Sequence, residues 1–288
     1  MAASDVAALA RVIDAVRGVR WSARRPVAPA APGAHGSRRR GTAVEFTEYR
    51  PYRQGDDPRG LDWKLLARTD RAYVRLTDDH AVLPTTIVVD ASLSMAYPLT
   101  TRAKWWMAAR LALGFAAVAQ ASGDPVGVTV VAGDAIVGDV ARTTRRGVVA
   151  TIASMLAGIL PGDGSRRDAP REIGGAGGRW VVVSDFLQAD GAAVARARSA
   201  TVLGGEVYAV HVVAHEELDP PRRALLVSDP EDPAVRRPLL GASRSAYLDA
   251  FGAWREQVRE AWQSAGARYA MASTDEAADR VVRRVVRL

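Results

Sequence analysis

The stretch Thr85 to Met95, TTIVVDASLSM, constrains this chain more than any other. Thr85 to Val89 are β-prone residues with no polar alternation, the pattern of a strand buried on both faces of a parallel sheet. The strand stops on Asp90, and Ser92 and Ser94 follow at alternate positions. D-x-S-x-S therefore falls in the loop at the carboxyl end of the strand, where open α/β sheets place their ligand sites. One carboxylate and two hydroxyls are hard oxygen donors of low total charge. They suit Mg²⁺ or Mn²⁺ and do not suit zinc or copper.

The rest of the chain alternates helical and strand patterns around that strand. Val6, Leu9, Ile13 and Val16 recur at helical spacing over residues 5–20, and Pro26 to Gly36 then breaks all periodicity, as a flexible linker does. Residues 41–82 read as strand, turn, short helix and strand, with Asp57 capping a helix over Pro58 to Ala67 that turns Leu61, Leu65 and Leu66 inward with Trp63 beside them. Thr101 to Ser122 predicts a long helix with a small-residue face, stopped by Gly123-Asp124-Pro125. A hairpin about Gly133-Asp134 joins Val126–Val131 to Ala135–Val140, and a helix over Gly147 to Leu160 follows. Residues 161–179 read as a surface loop; no G-K-[ST] follows its glycines, so it is not a phosphate cradle. A second buried strand, Trp180 to Val183, ends in Ser184-Asp185. Beyond it the spacing predicts a helix near 191–203, a strand at 206–213, and a strand or turn at 224–228. A long helix over 243–265, a strand at 268–272 and a last helix complete the chain. Alternation of this kind makes a mostly parallel sheet covered by helices on both faces.

Composition excludes several functions. With no cysteine in 288 residues, disulfides, thiolate nucleophiles and thiolate-ligated metals are all ruled out. No apolar run approaches the ~18–20 residues that span a bilayer, and Asp5, Arg11 and Asp14 interrupt any signal-peptide core, so a cytoplasmic protein is expected. The formal charge of +7 is almost all arginine, since Lys64 and Lys104 are the only lysines. It is interleaved with acids, and its densest run, Arg38-Arg39-Arg40, lies in the linker. That pattern is a solvated surface rather than a nucleic-acid footprint.

D-x-S-x-S after a hydrophobic strand resembles the metal-ion-dependent adhesion site of von Willebrand factor A domains. Upstream lies the block GTAVEFTEYRPYRQGDDPRGLDWKLLARTDRAYVR, Gly41 to Arg75, and downstream EELDPP, Glu216 to Pro221. Together they resemble the bacterial family catalogued as domain of unknown function number fifty-eight, over nearly everything from Gly41 to the C-terminus. The resemblance implies a von Willebrand factor A-like, Rossmann-like α/β domain over 84–288. It also implies a smaller α+β part before it: helix and linker over 1–40, and a signature segment over 41–83 packed on the main domain. It implies Mg²⁺ or Mn²⁺ at Asp90, Ser92 and Ser94, reached also by Asp185 and by a threonine after the hairpin, Thr143 or Thr144. Glu45, Asp56, Asp57, Arg59, Asp62, Trp63 and Arg68 match the signature and form a shared partner surface. Genes of the family commonly neighbour a MoxR-type AAA+ ATPase, so that ATPase and a client protein are the implied partners. Members often carry membrane helices near the N-terminus; none is read here, and peripheral membrane contact stays open.

On spacing alone, Asp185 fits a helix N-cap as well as a ligand, a loop cap is the better reading for either threonine taken singly, and an ion-pair lattice is the better reading for the acids and arginines of 41–75. Other chemistries fit worse. An aspartyl-phosphate site needs an acid where Ser92 stands, there is no G-x-S-x-G elbow, and His211 and His215 lack the helical H-E-x-x-H geometry of a zinc site. Two functions remain. One is a non-enzymatic, metal-dependent protein-interaction module, an adaptor for the ATPase in chaperone-like maturation or remodelling. The alternative is a hydrolase whose ion activates water, with Asp185 as its base.

Overall fold

The strand that opens the sequence argument is central: Thr85–Asp90 is hydrogen-bonded in parallel to a neighbour on each side in the computed structural model. The structure describes residues 3–23, 32–53, 56, 61–162, 178–188, 191–221, 225–228, 236–239 and 241–288. In chain order the elements begin α1 (Ala3–Ala15), β1 (Pro32–Pro51), α2 (Trp63–Thr69), β2 (Tyr73–Ala81), β3 (Thr85–Asp90), α3 (Ala103–Ala121), β4 (Val126–Ala132), β5 (Ala135–Thr143) and α4 (Val148–Gly158). They continue β6 (Arg179–Ser184), α5 (Gly191–Val202), β7 (Glu206–Val213), α6 (His215–Leu218), β8 (Leu225–Ser228), β9 (Arg236–Leu239), α7 (Gly241–Ser264), β10 (Arg268–Ser273) and α8 (Ala278–Arg287).

The chain divides into two compact units, Met1–Trp21 with Pro84–Ala121 and Pro125–Leu288, and Ser22–Leu83 with Ser122–Asp124. The first holds a six-stranded sheet in the order β10-β7-β6-β3-β4-β5, parallel except for β5. This is a Rossmann-like α/β arrangement, and the order reverses between β3 and β6. A crevice opens at such a reversal, outside the carboxyl ends of the two strands.

One face of the sheet packs on α3. Its alanines let the helix lie close, and it is buried nearly all round because α1, α4 and α8 pack on it in turn. Gly114 is where that approach is tightest: a Cβ there would lie 2.7 Å from Val282 Cγ2 and 3.1 Å from Val12 Cγ1. The N-terminal helix is thus part of the main core, with Leu9, Val12, Val16 and Trp21 buried in it. On the other face Trp180, Ala197, Val207, Ala209 and Trp262 form a second cluster beneath α5 and α7. β8 and β9 make a separate two-stranded ribbon, so the expected strand or turn at 224–228 is a strand, and its partner was not anticipated.

In the second unit β1 and β2 pair antiparallel. Pro32–Gly36 lies within β1, which corrects the linker reading for those residues; residues 24–31 are outside the described set. The short helix is α2, capped by Asp62, whose carboxylate accepts the amides of Lys64 and Leu65 at 3.0 and 2.9 Å. It begins five residues later than expected, and Trp63 is 64% exposed instead of facing inward. The expected cap, Asp57, lies outside the described residues, as does Arg59.

Candidate metal-ion site at the carboxyl ends of the central strands

The parallel register brings the site together. Val89 pairs with Val183, so Asp90 and Ser184, the last residues of β3 and β6, leave the sheet side by side. Ser184 Oγ donates to Asp90 Oδ2 at 2.6 Å, and the Ser92 amide donates to Oδ1 at 2.8 Å. The chain then enters a single 3₁₀ turn, Leu93–Ala96, which folds Ser94 back towards Ser92. Their hydroxyls end 3.0 Å apart, and both residues are buried. Burial, and then repulsion from Asp185, push the Asp90 carboxyl above its usual range, against the pull of the hydrogen bonds from Ser184 and Ser92.

Asp185 turns the other way and is held on both oxygens. Oδ2 accepts Lys104 Nζ at 3.1 Å, and Oδ1 accepts the Leu187 amide at 3.2 Å. Lys104, at the start of α3, is only 1% exposed and reaches a second carboxylate, Glu217 Oε1, at 2.6 Å. The other oxygen of Glu217 accepts the Ala214 amide at 2.8 Å, tying α6 to the end of β7. Burial alone would lower the Lys104 pKa; the two carboxylates outweigh it and hold it above the ordinary lysine value. Burial likewise pushes Glu217 up, against the pull of Lys104. Alongside, His211 on β7 sits among Phe186, Trp254 and Tyr269, with Nδ1 2.6 Å from the Tyr269 hydroxyl. Burial lowers its pKa to about 4, so the ring is neutral near pH 7. His211 is a satisfied strand histidine rather than a zinc ligand.

Among the described residues Lys104 thus meets two carboxylates, Asp185 and Glu217, and the Asp90 carboxylate is close enough to Asp185 to feel its repulsion. Among the described residues no three His, Asp or Glu side chains converge as a metal cage. What converges is one carboxylate and two hydroxyls, and their spacing fits a small dication. Adjacent ligands of an octahedral Mg²⁺ at ~2.1 Å are separated by about 3.0 Å, which is the Ser92 to Ser94 hydroxyl distance.

The two candidate threonines are not brought there. β5 is antiparallel and carries the chain back: Thr143 pairs with Val126, which pairs with Thr85, whereas Asp90 pairs with Val131. Five strand residues, about 16 Å, separate the two ends. Thr143 Oγ1 accepts the Arg145 amide at 3.1 Å as a loop cap, and Thr144 is exposed. The segment that does return to the site is the exit of α4. The Gly162 amide donates to the Ala91 carbonyl at 2.8 Å, with Gly162 at φ +82°; a Cβ there would lie 2.6 Å from Leu93 Cδ1. Residues 163–177, the middle of the expected loop, are outside the described set.

Of the signature residues, Asp56 accepts Arg50 Nη2 at 2.8 Å and the Arg53 amide at 2.7 Å, and the Arg50 hydrogen bond holds its carboxyl below the usual range. Asp62 caps α2 and accepts the Tyr49 hydroxyl at 2.8 Å. These are local fastenings. Trp63 and Arg68 lie exposed on α2, and Glu45 lies on β1 with its side chain outside the described set.

Sequence reasoning missed Lys104, Ser184 and Glu217 as parts of the site. Signals existed for two of them: Lys104 is one of two lysines in an arginine-dominated chain, and Glu217 lies inside the EELDPP block. The Lys104 ammonium, a compact group with three rotatable donors, reaches both carboxylates.

Comparison with known proteins agrees with that pattern of blocks. Among solved structures, BatB from Bacteroides thetaiotaomicron overlaps at a TM-score of 0.42 with 18% identity, over 71% of this chain and 97% of that one. An aerotolerance-related membrane protein from Bacteroides fragilis overlaps at 0.42 with 19% identity, over 71% and 98%. Overlaps this loose assign no fold. Uncharacterized protein Rv1480 of Mycobacterium tuberculosis and Uncharacterized protein Mb1516 of Mycobacterium bovis are each 31% identical over 153 residues, 51% of this chain and 48% of theirs. The chain therefore spans about half the length of the curated relatives it matches. The family described as "Protein of unknown function DUF58" matches residues 48–237, taking in β3, the Asp90 cluster, Lys104, Asp185 and Glu217, and the chain belongs to that family.

Proposed function

We propose that the chain is a von Willebrand factor A-like interaction module that binds Mg²⁺ or Mn²⁺ at Asp90, Ser92 and Ser94, with Asp185 beside them. The carrying observation is the pair of buried serine hydroxyls 3.0 Å apart next to the Asp90 carboxylate. A cation there would relieve the burial and the Asp185 repulsion that push the Asp90 carboxyl up. Bound there, the ion would offer an open coordination position to an acidic side chain of a partner protein. The surroundings suit a protein partner: Leu93, Leu99, Leu160 and Leu187, on the loops at this end of the sheet, are 36% to 75% exposed. Exposed apolar residues around a polar centre are an interface pattern. A MoxR-type AAA+ ATPase and its client are the partners in this reading, which makes the chain an adaptor in maturation or remodelling.

The hydrolase alternative is weaker because its base is engaged. Asp185 is 2% exposed, with one oxygen on Lys104 and the other on the Leu187 amide. The test is isothermal titration with Mg²⁺ and Mn²⁺ of the wild type beside Asp90→Ala, repeated with the ATPase present. Metal heat that vanishes in the variant, and grows tighter with the ATPase, supports the module. An absence of metal heat in the wild type refutes it.

A further inference from the structure

The face of the sheet opposite α3 carries a trough that begins at the candidate ion site. Its floor is made by Val88 and Asp90 of β3, Val131 of β4, Ile136 of β5, and Trp180, Val182 and Ser184 of β6, and its far wall by Phe186 and α5. The cavity measures about 210 Å³. It exists because β4 and β5 are joined by a two-residue turn, so their connection contributes no crossover helix to this face. From Ser184 to Trp180 it runs about 13 Å, the length of four extended residues. A second cavity of about 310 Å³ continues between α5 and α7, walled by Trp254, Val258 and Trp262, and the two share Phe186, Gln188 and Ala193.

Phe186 stands at the junction in a left-handed conformation, φ 52°, which a bulky side chain seldom adopts. What holds it there is Ser184, whose hydroxyl accepts the Phe186 amide at 2.9 Å while donating to Asp90 at 2.6 Å. One hydroxyl thus links the candidate ion ligand to the aromatic wall of the trough.

We infer that the trough is the specificity pocket of the interaction site. It takes a large apolar side chain of a partner-protein segment whose acidic residue, one to three positions away, meets the ion. This rests on the metal-binding reading above and goes further by naming the kind of segment recognised. The occupant follows from continuity. A ligand seated on Asp90 and Ser184 needs an oxyanion for a cation held there, and the space leading away from those atoms is lined mainly by Val88, Val182, Ile136 and Phe186, with Asp134, Gln188 and Arg196 as its other polar residues. An isolated carboxylate would leave it empty.

The test is a peptide array in which one aspartate is followed at one, two or three residues by Leu, Phe, Trp, Ser or Gly, probed with labelled full-length protein with and without Mg²⁺. Two variants fill the trough without touching the proposed ligands: Ala193→Trp in the first turn of α5, and Gln188→Trp on the exposed loop. Gln188→Trp keeps the question open to refutation should Ala193→Trp fold poorly. The expected result is Mg²⁺-dependent selection of Leu, Phe or Trp peptides over Ser and Gly, weakened at least tenfold by the fillers, with Mg²⁺ titration unchanged. Aspartate-dependent binding with no apolar preference, or binding unaffected by both fillers, overturns the pocket and leaves the metal site standing. Apolar selection that persists without Mg²⁺ and in Asp90→Ala overturns the link to the ion, and a flat Mg²⁺ titration then assigns the failure to the metal reading itself.

Discussion

Replacing Lys104 by methionine removes the cation that meets both Asp185 and Glu217. Methionine keeps the length and apolar stem of the side chain, so the α3 packing survives and the change isolates the charge. Asp185, 2% exposed, then loses the donor on Oδ2, and Glu217, 17% exposed, loses the donor on Oε1. Breaking a buried pair by deleting one partner costs about 3–5 kcal/mol, because the remaining charge is left in a poor solvent. With an m-value of about 3 kcal/mol/M, that lowers the urea midpoint by ~1 M or more. The assay is urea unfolding followed by far-ultraviolet circular dichroism at pH 7. Adding Asp185→Asn and Glu217→Gln to Lys104→Met should recover part of the loss, since neither former partner of Lys104 then carries a charge. A loss below about 1 kcal/mol for Lys104→Met, or no recovery in the triple variant, would refute the view that the ammonium is the keystone of this end of the sheet.

Three further outcomes follow from the same geometry. Asp90 has its pKa raised by burial and by Asp185, so its ionisation at neutral pH costs folding stability. Asp90→Asn should therefore raise the metal-free Tm, by ~2–4 °C for each kcal/mol relieved, and abolish the Mg²⁺-dependent rise in Tm that calorimetry of the wild type is expected to show. His211 titrates near 4 folded against 6.5 unfolded, so below pH 6.5 the unfolded chain takes a proton that the folded one refuses. Its contribution is present above pH 6.5 and is lost as pH falls towards 4, in all about 3 kcal/mol; His211→Leu should flatten stability against pH across that window. In the second unit, Asp62→Ala removes the cap of α2 and should cost about 1 kcal/mol. Trp63→Ala should change stability by no more than about 0.5 kcal/mol yet weaken capture of the ATPase in a pull-down, if this exposed face is the partner surface.

The elements with one dominant period were legible. β3 and β6 are built on the apolar runs Ile87–Val89 and Trp180–Val183, α3 is alanine-rich, and each lies where its pattern puts it. The D-x-S-x-S cluster was legible too, because its ligands are two residues apart and one turn brings them together. The hairpin about Gly133-Asp134 already implied that Thr143 returns to the end of the sheet opposite Asp90; a threonine at the site came from the resemblance and not from the strand pattern. What was not legible depends on packing. Lys104 and Asp185 are 81 positions apart, and only the packing of α3 against the crevice joins them. The α2 boundary was misplaced because both Asp57 and Asp62 can cap, and the sequence around each offers a plausible first turn; the side-chain bonds of Asp62 decide the matter.

The two ends of β6 separate structure from function. At its start Arg179, fully buried, meets Glu206 at 3.4 Å and Trp21, with the guanidinium 4.1 Å from the ring centroid and Nη2 3.3 Å from the Trp21 carbonyl. One buried cation faces one buried anion there, with planar groups stacked and hydrogen-bonded, the arrangement that lets a buried pair recover its desolvation cost. At the other end, among the described residues, Lys104 meets two carboxylates, while the Asp90 carboxylate is held by the Ser184 hydroxyl and the Ser92 amide. Burial and Asp185 push the Asp90 carboxyl above its usual range, so a carboxylate is kept beside two hydroxyls where asparagine could hold the same turn at lower electrostatic cost. That feature lies at the end of the strand where the sheet order reverses and where the trough begins. The buried Asp90 beside Ser92 and Ser94 is therefore the strongest physical reason to look for a cation there, and to look for the partner in the crevice rather than at the Arg179 end.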